Sequence, residues 1–191
     1  MGFIGKVFPG TEAKVVDENG VVLPVNTLGE LYIRGPYVSM GCMTENQIQP
    51  MTDNFGWAHS GDFAVMDTKG FIKIEGRKRN MIKRAAFKII PAQVERILLQ
   101  NKKVRDVEVI GVPDARLHEE ICACVVKNDP SLTEEDLLEW CAQVFKPDTT
   151  SLSLAPRYIF FISSDFPRNT SGEVDYEKLK TLAINNIKSQ K

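Results

Sequence analysis

Asp62 closes a Ser60-Gly61-Asp62 turn; a short hairpin later the chain reads Gly76-Arg77-Lys78-Arg79, then Lys83, then Pro91-Ala92-Gln93-Val94-Glu95. A carboxylate offers two acceptor oxygens, the complement of a vicinal diol, and an arginine is a permanently charged fork of several donors. A lysine supplies a cation where negative charge accumulates. Each group also has an ordinary reading. Ser-Gly-Asp is a common turn, Arg77 suits the surface at a domain edge, and Lys83 suits an exposed strand edge, where lysine guards against edge pairing. Of the two histidines, His118 precedes Glu119-Glu120 at a strand entrance and reads as surface, while His59 borders Asp62 and can line a cleft. No Gly/Ser/Thr-rich phosphate loop and no Walker-type Gly-Lys-Ser/Thr occurs, so nothing in these residues cradles a triphosphate.

These groups need elements to hold them, and the pattern changes character near Gly76. Before it the chain reads as short strands and turns. Glu12 to Asp17 alternates into Asn19-Gly20, a hairpin signal, with Val21 to Leu23 returning. Gly29 to Gly35 is a strand bounded by glycines, and Phe63 to Met66 pairs with Phe71 to Ile74 across Asp67-Thr68-Lys69-Gly70. After Gly76 come six Lys/Arg between Arg77 and Lys88, and then strands and helices alternate. Pro91 suits the first turn of a helix with Val94, Ile97 and Leu98 on one stripe. Val104 to Val112, Glu119 to Lys127 and Arg157 to Ile162 read as strands. Thr133-Glu134-Glu135-Asp136 resembles a capping box ahead of Leu137, Leu138, Cys141, Val144 and Phe145. A last helix places Tyr176, Leu179, Leu182, Ala183 and Ile187 on one face.

At 191 residues with 43% hydrophobic content, the chain is long enough for one good core or two small ones. Its 24 basic and 25 acidic residues nearly cancel, which argues against a global attraction to nucleic acid or membrane. Cys42, Cys122, Cys124 and Cys141 are too unevenly spaced for a disulfide framework, and no Cys/His cluster has zinc spacing, so no metal site is expected and a reducing compartment is the default. Cys122 and Cys124 flank Ala123 in an apolar run and read as buried hydrophobes on one strand face. No apolar run approaches the roughly 18 residues of a membrane helix. The segment from Met1 to Lys6 lacks a signal-peptide core and the Ser/Thr of a myristoylation site, and Ser189-Gln190-Lys191 does not match a peroxisomal tripeptide.

Taken in order, Ser60-Gly61-Asp62, Gly76-Arg77-Lys78-Arg79, Lys83 and Pro91 to Glu95 resemble the junction between the large and small domains of the adenylate-forming (AMP-binding) superfamily. The resemblance runs from Gly5-Lys6-Val7-Phe8-Pro9-Gly10-Thr11 through Leu179, and Arg116 to Cys124 is similar to the medium-chain fatty-acyl branch. It implies an α+β fold: the distal β-rich part of the large domain over residues 1–76, then a mobile α+β C-terminal domain over 77–191. The implied activity is ATP-dependent fatty-acid–CoA ligation, in which a carboxylate and ATP give an acyl-adenylate, the small domain rotates, and the acyl group passes to coenzyme A. ATP or AMP, coenzyme A and, in the full-length enzyme, Mg are the implied cofactors. A carboxylic acid and coenzyme A are the implied partners, and a soluble mitochondrial or cytoplasmic setting the implied location. Asp62 matches the ribose-binding aspartate, Arg77 the nucleotide-contacting arginine, Arg79 the hinge position and Lys83 the lysine of the second half-reaction.

Two positions depart from the family pattern. Ala85-Ala86 stands where the family has Gly-Gly beside the pantetheine path; if either site requires positive φ, alanine costs on the order of 1 kcal/mol. In Pro167 to Val174 the catalytic lysine position is Glu173. A like-charge contact at about 4 Å and an effective dielectric near 20 costs roughly 4 kcal/mol, enough to suppress adenylation by several powers of ten. The family's phosphate loop and acyl pocket are expected upstream of Met1, so the chain alone is expected to be inactive and to bind neither ATP nor coenzyme A tightly. The alternative is a noncatalytic relative acting as a binding or regulatory module. Nucleic-acid binding through Arg77 to Lys88 is the weakest reading, because no aromatic stacking series accompanies the cluster.

Overall fold

A computed structural model describes residues 2–45, 47–145 and 154–189. Gln190 and Lys191 of the C-terminal tripeptide, and Met1, lie outside the described residues. The chain divides into two compact units, Met1–Arg79 and Asn80–Lys191. It passes from one to the other after Arg79, while the composition changes at Gly76.

The first unit is built on a four-stranded antiparallel sheet. Its strands are β1 (Glu12–Val16), β2 (Gly29–Arg34), β5 (Ala58–Met66) and β6 (Ile72–Arg77), in that spatial order; β3 (Gly41–Met43) and β4 (Ile48–Pro50) form a separate ribbon. Leu31, Ala64 and Ile72 are its buried centre, flanked by Val7, Ile33 and Ile74. Val21 to Leu23 returns antiparallel onto β1, though only briefly: Val22 bridges Val16, the Asp17 N–H donates to the Val21 carbonyl and the Leu23 N–H to the Val15 carbonyl, each at 2.9 Å, while β2 is the regular partner of β1. One expectation is corrected here: Ser60-Gly61-Asp62 is not a chain reversal, because it lies within β5. Gly61 has φ +70, and Ser60 Oγ accepts the Asp62 N–H at 3.0 Å, so the segment kinks locally while the strand continues. The β5–β6 hairpin forms as the alternation indicates, with Asp67 Oδ1 accepting the N–H groups of Lys69 and Phe71 across the turn.

The second unit is α+β. After a 3-10 turn over Lys78–Asn80 come β7 (Ile82–Arg84), β8 (Phe87–Ile89), α1 (Pro91–Leu98), β9 (Val104–Asp114), β10 (His118–Lys127), α2 (Glu134–Val144), β11 (Tyr158–Ile162) and α3 (Tyr176–Ser189). β9 runs antiparallel along the whole of β10; β11, parallel, pairs with Cys122 to Val126, and β7 touches β10 at His118. Period-two alternation in β10 splits the core. Ile121, Ala123 and Val125 join the cluster with Val94, Leu98, Leu137 and Cys141 from α1 and α2, while Cys122, Cys124 and Val126 join Leu179 and Ala183 of α3. Helices therefore cover both faces, which is why β10 reads as a continuous apolar run.

Pro91 stands in the first turn of α1. Thr133 and Asp136 form a reciprocal capping box at α2: Thr133 Oγ1 accepts the Asp136 N–H and Asp136 Oδ2 accepts the Thr133 N–H, each at 3.1 Å. The helical stripes are narrower than their periodicity indicates. Val144 is 38% exposed and Leu182 42%, since each sits at the margin of the arc its sheet covers. Lys83 is also corrected: β8, not β7, is the outer strand, and β7 lies between β8 and β10.

Candidate functional site

In the first unit the structure brings Asp62 and Arg77 together. They are cross-strand partners at the end of the β5–β6 hairpin, with Arg77 Nη1 3.1 Å from Asp62 Oδ1. The regular register of Ala64 with Ile74 would set Asp62 against Gly76; a one-residue shift between Phe63 and Ala64 sets it against Arg77 instead. The Asp62 side chain is 19% exposed, with its Oδ1 buried, and that of Arg77 is 56% exposed, so a largely buried carboxylate lies beside a solvent-facing guanidinium. Next to it, Lys78 Nζ lies 2.6 Å from Glu30 Oε2, which fixes the backbone just ahead of exposed Arg79 in the 3-10 turn. His59 stacks on Tyr32 with ring centroids 3.9 Å apart and belongs to the wall of a half-open apolar pocket of about 490 Å³ with Ile4, Phe8, Leu31 and Tyr37. Asp62 and Arg77 are not among that pocket's lining residues.

In the second unit, Lys83 and Ala86 belong to one tight hairpin. β7 and β8 pair through Ile82–Ile89, Lys83–Lys88 and Arg84–Phe87, leaving Ala85-Ala86 as a two-residue loop with Ala85 at φ +52. The conditional cost attached to the double alanine is thus incurred at Ala85. Lys83 is exposed. Glu173 stands apart, exposed on a second small hairpin closed by the Arg168–Val174 bridge. Asn169 Oδ1 accepts the N–H groups of Ser171 and Glu173, each at 3.0 Å, and Gly172 takes φ +82, so the backbone presenting Glu173 is held tightly.

Sequence reasoning missed the groups that anchor the Lys83 hairpin. Fully buried Glu120 pairs with Arg84 (Nε to Oε1 2.7 Å, Nη2 to Oε2 2.9 Å), and Glu119 accepts the backbone N–H of Lys83 at 2.8 Å. The available signal was a Glu-Glu pair opening an apolar strand. A second unforeseen group is acidic. Glu95 accepts the Val109 N–H at 2.9 Å, and Glu108 accepts from the Tyr176 hydroxyl at 2.7 Å. Burial pushes the Glu95 carboxyl up to about 7, with Glu108 and Asp106 adding to the rise against the Val109 hydrogen bond. The folded protein therefore holds this proton more tightly than the unfolded chain. The resulting stability is complete below the ordinary value of 4.5 and is lost as pH rises through about 7. Denaturant unfolding of the chain should show stability falling by about 2 kcal/mol from about pH 5.5 to about pH 8, and Glu95→Gln should flatten that slope; a parallel profile in the variant would remove Glu95 as the cause. Among the described residues no group of three or more His, Cys, Asp or Glu could hold a metal ion, and no helix is long and apolar enough to cross a membrane.

The chain belongs to the AMP-binding, adenylate-forming enzyme family. Residues 93–173 match the AMP-binding enzyme C-terminal domain, and residues 1–42 match the AMP-binding enzyme family. Among curated proteins it is 37% identical over 190 residues to the medium-chain acyl-CoA ligase ACSF2, mitochondrial, of Mus musculus, covering 98% of this chain and 30% of that protein. It is 40% identical over 140 residues to a long-chain-fatty-acid–CoA ligase of Escherichia coli O6:H1, covering 73% of this chain and 25% of the other. Among solved structures, ATP-bound MatB from Rhodopseudomonas palustris matches with TM-score 0.82 at 27% identity, over 95% of this chain and 35% of that one. The chain thus spans about a third or less of the proteins it resembles.

Proposed function

We propose that the chain is the C-terminal portion of an ATP-dependent fatty-acid–CoA ligase, acting on a medium-chain carboxylic acid in mitochondria as the name of the mammalian relative indicates. The observation that carries this reading is the Asp62–Arg77 pair, which sets a carboxylate and a charged donor fork side by side at one strand end. In the longer protein, ATP with Mg supplies the adenylyl group that activates the carboxylate, and coenzyme A supplies the accepting thiol. Asp62 accepts hydrogen bonds from ribose hydroxyls, and Arg77 orients the nucleotide while its charge offsets that of Asp62. Arg79, at the exposed turn where one unit ends, absorbs the backbone rotation between the two steps. Lys83 then supplies a cation near the thiolate and the departing phosphate, with Ala86 bordering the thiol's path.

A second reading, a noncatalytic family member that binds a partner, is favoured by one observation: a carboxylate at Glu173 where the family places a cation. Pyrophosphate exchange tests the first reading's limit. The purified 191-residue chain should show no ATP–pyrophosphate exchange above background with octanoate, decanoate or palmitate, because no phosphate loop is present. Exchange that scales with protein concentration would overturn this account of the chain.

A further inference from the structure

The hairpin carrying Lys83 is attached to its sheet mainly by side chains. β7 and β10 share one register pair, His118 with Arg84, and the Ala85 N–H donates to the Leu117 carbonyl at 2.7 Å. The Lys83 N–H, which a regular ladder would give to a neighbouring carbonyl, instead goes to Glu119 Oε2 at 2.8 Å. The other oxygen, Oε1, lies 3.1 Å from Lys180 Nζ, one turn into α3. This carboxylate is folded back over β9. A Cβ added at Gly111 would sit 2.8 Å from the Glu119 Cδ and 2.9 Å from both its oxygens, so only glycine leaves the space it occupies. With the side chains of Glu119 and Lys180 18% and 35% exposed, both ends of the bridge are largely shielded from water.

We propose that Glu119 is a positioning residue for Lys83: its carboxylate, clamped by Lys180 and admitted by Gly111, fixes the backbone of Lys83 and so the reach of its ammonium. The same bridge ties the Lys83 hairpin to α3, the helix that begins three residues after Glu173. The functional half of this inference rests on the proposed role of Lys83 in acyl transfer; the geometric half does not.

Two measurements separate those halves. In the 191-residue chain, amide hydrogen exchange at Lys83 should quicken at least tenfold in Glu119→Ala and Gly111→Ala. Glu119→Gln, which keeps an acceptor oxygen, should stay within threefold, and the amides of Cys122 to Val126 should not change. An unaltered Lys83 amide, or equal acceleration throughout β10, would overturn the positioning role. In the complete ligase containing this chain, transfer from preformed acyl-adenylate to coenzyme A should lose at least tenfold in kcat for Glu119→Ala and Lys180→Met. KM for coenzyme A should stay within threefold, and Glu119→Gln should restore most of the rate. If Lys83→Ala leaves transfer intact, the reading of Lys83 fails while the amide result still judges the anchor. If Lys83→Ala abolishes transfer and Glu119→Ala does not slow it, the positioning role fails.

Discussion

Glu120→Ala destabilises the second unit by about 3–5 kcal/mol, a large share of the roughly 5–15 kcal/mol that holds an ordinary domain together. Glu120 has no solvent exposure, its side chain takes the Arg84 guanidinium at 2.7 and 2.9 Å, and its Oε1 also accepts the Ile121 N–H at 2.9 Å. Truncation takes this carboxylate away from the Arg84 guanidinium, 13% exposed, and leaves a cavity beside a buried charge. Urea unfolding measures the loss, and a paired control identifies its origin. Arg84→Met with Glu120→Met should be less destabilised than Glu120→Ala alone, because both members of the ion pair are replaced by apolar side chains that fill their space. If the double variant is as unstable as the single one, packing rather than charge accounts for the effect.

The second large effect is catalytic. On the proposed reading, in a ligase that contains this chain, Glu173→Lys should raise the adenylation rate at least about tenfold, and by several powers of ten if the whole of the roughly 4 kcal/mol like-charge penalty is relieved. The Asn169-centred loop makes this substitution conservative in shape. The hydrogen bonds at position 173 run through its backbone N–H to Asn169 Oδ1 and its carbonyl to the Asn169 N–H, so the side chain can change sign without disturbing its support. ATP–pyrophosphate exchange with a medium-chain acid reads the outcome. An unchanged rate would show that position 173 does not face the reacting carboxylate, and would favour the noncatalytic reading.

Much of this architecture was legible wherever local chemistry decides it. Pro91, the Thr133–Asp136 box and the Asp67 turn act within a few residues of themselves, and β9 and β10 announce themselves by β-branched content and alternation. The helical stripes were legible in direction but not in width. Periodicity gives the angle of Val144 and Leu182 around their axes, yet only the packing of the sheet decides that their side chains reach water. The site divides in the same way. Asp62 and Arg77 could be singled out, but their pairing depends on a register shift at Phe63 and Ala64 that no residue type signals. Glu119 and Glu120 were readable only as charges before a strand, because their partners Lys83 and Arg84 lie 36 residues away in sequence. Ala85 shows the opposite situation: its positive φ follows from a two-residue hairpin loop, which the spacing of Lys83 and Lys88 permitted but did not require.

Of the four cysteines, Cys42 is exposed while Cys122, Cys124 and Cys141 are buried. A hydrogen bond with Cys122, together with burial, pushes the Cys124 thiol upward, and burial lifts that of Cys141 to about 11. A maleimide dye applied to the native chain will therefore attach at a single location on the β3–β4 ribbon, while the other three thiols become titratable only when the second unit opens. The wild-type molecule thus already contains a one-site fluorescence handle in one half and a thiol-counting gauge of opening in the other, without any engineered residue.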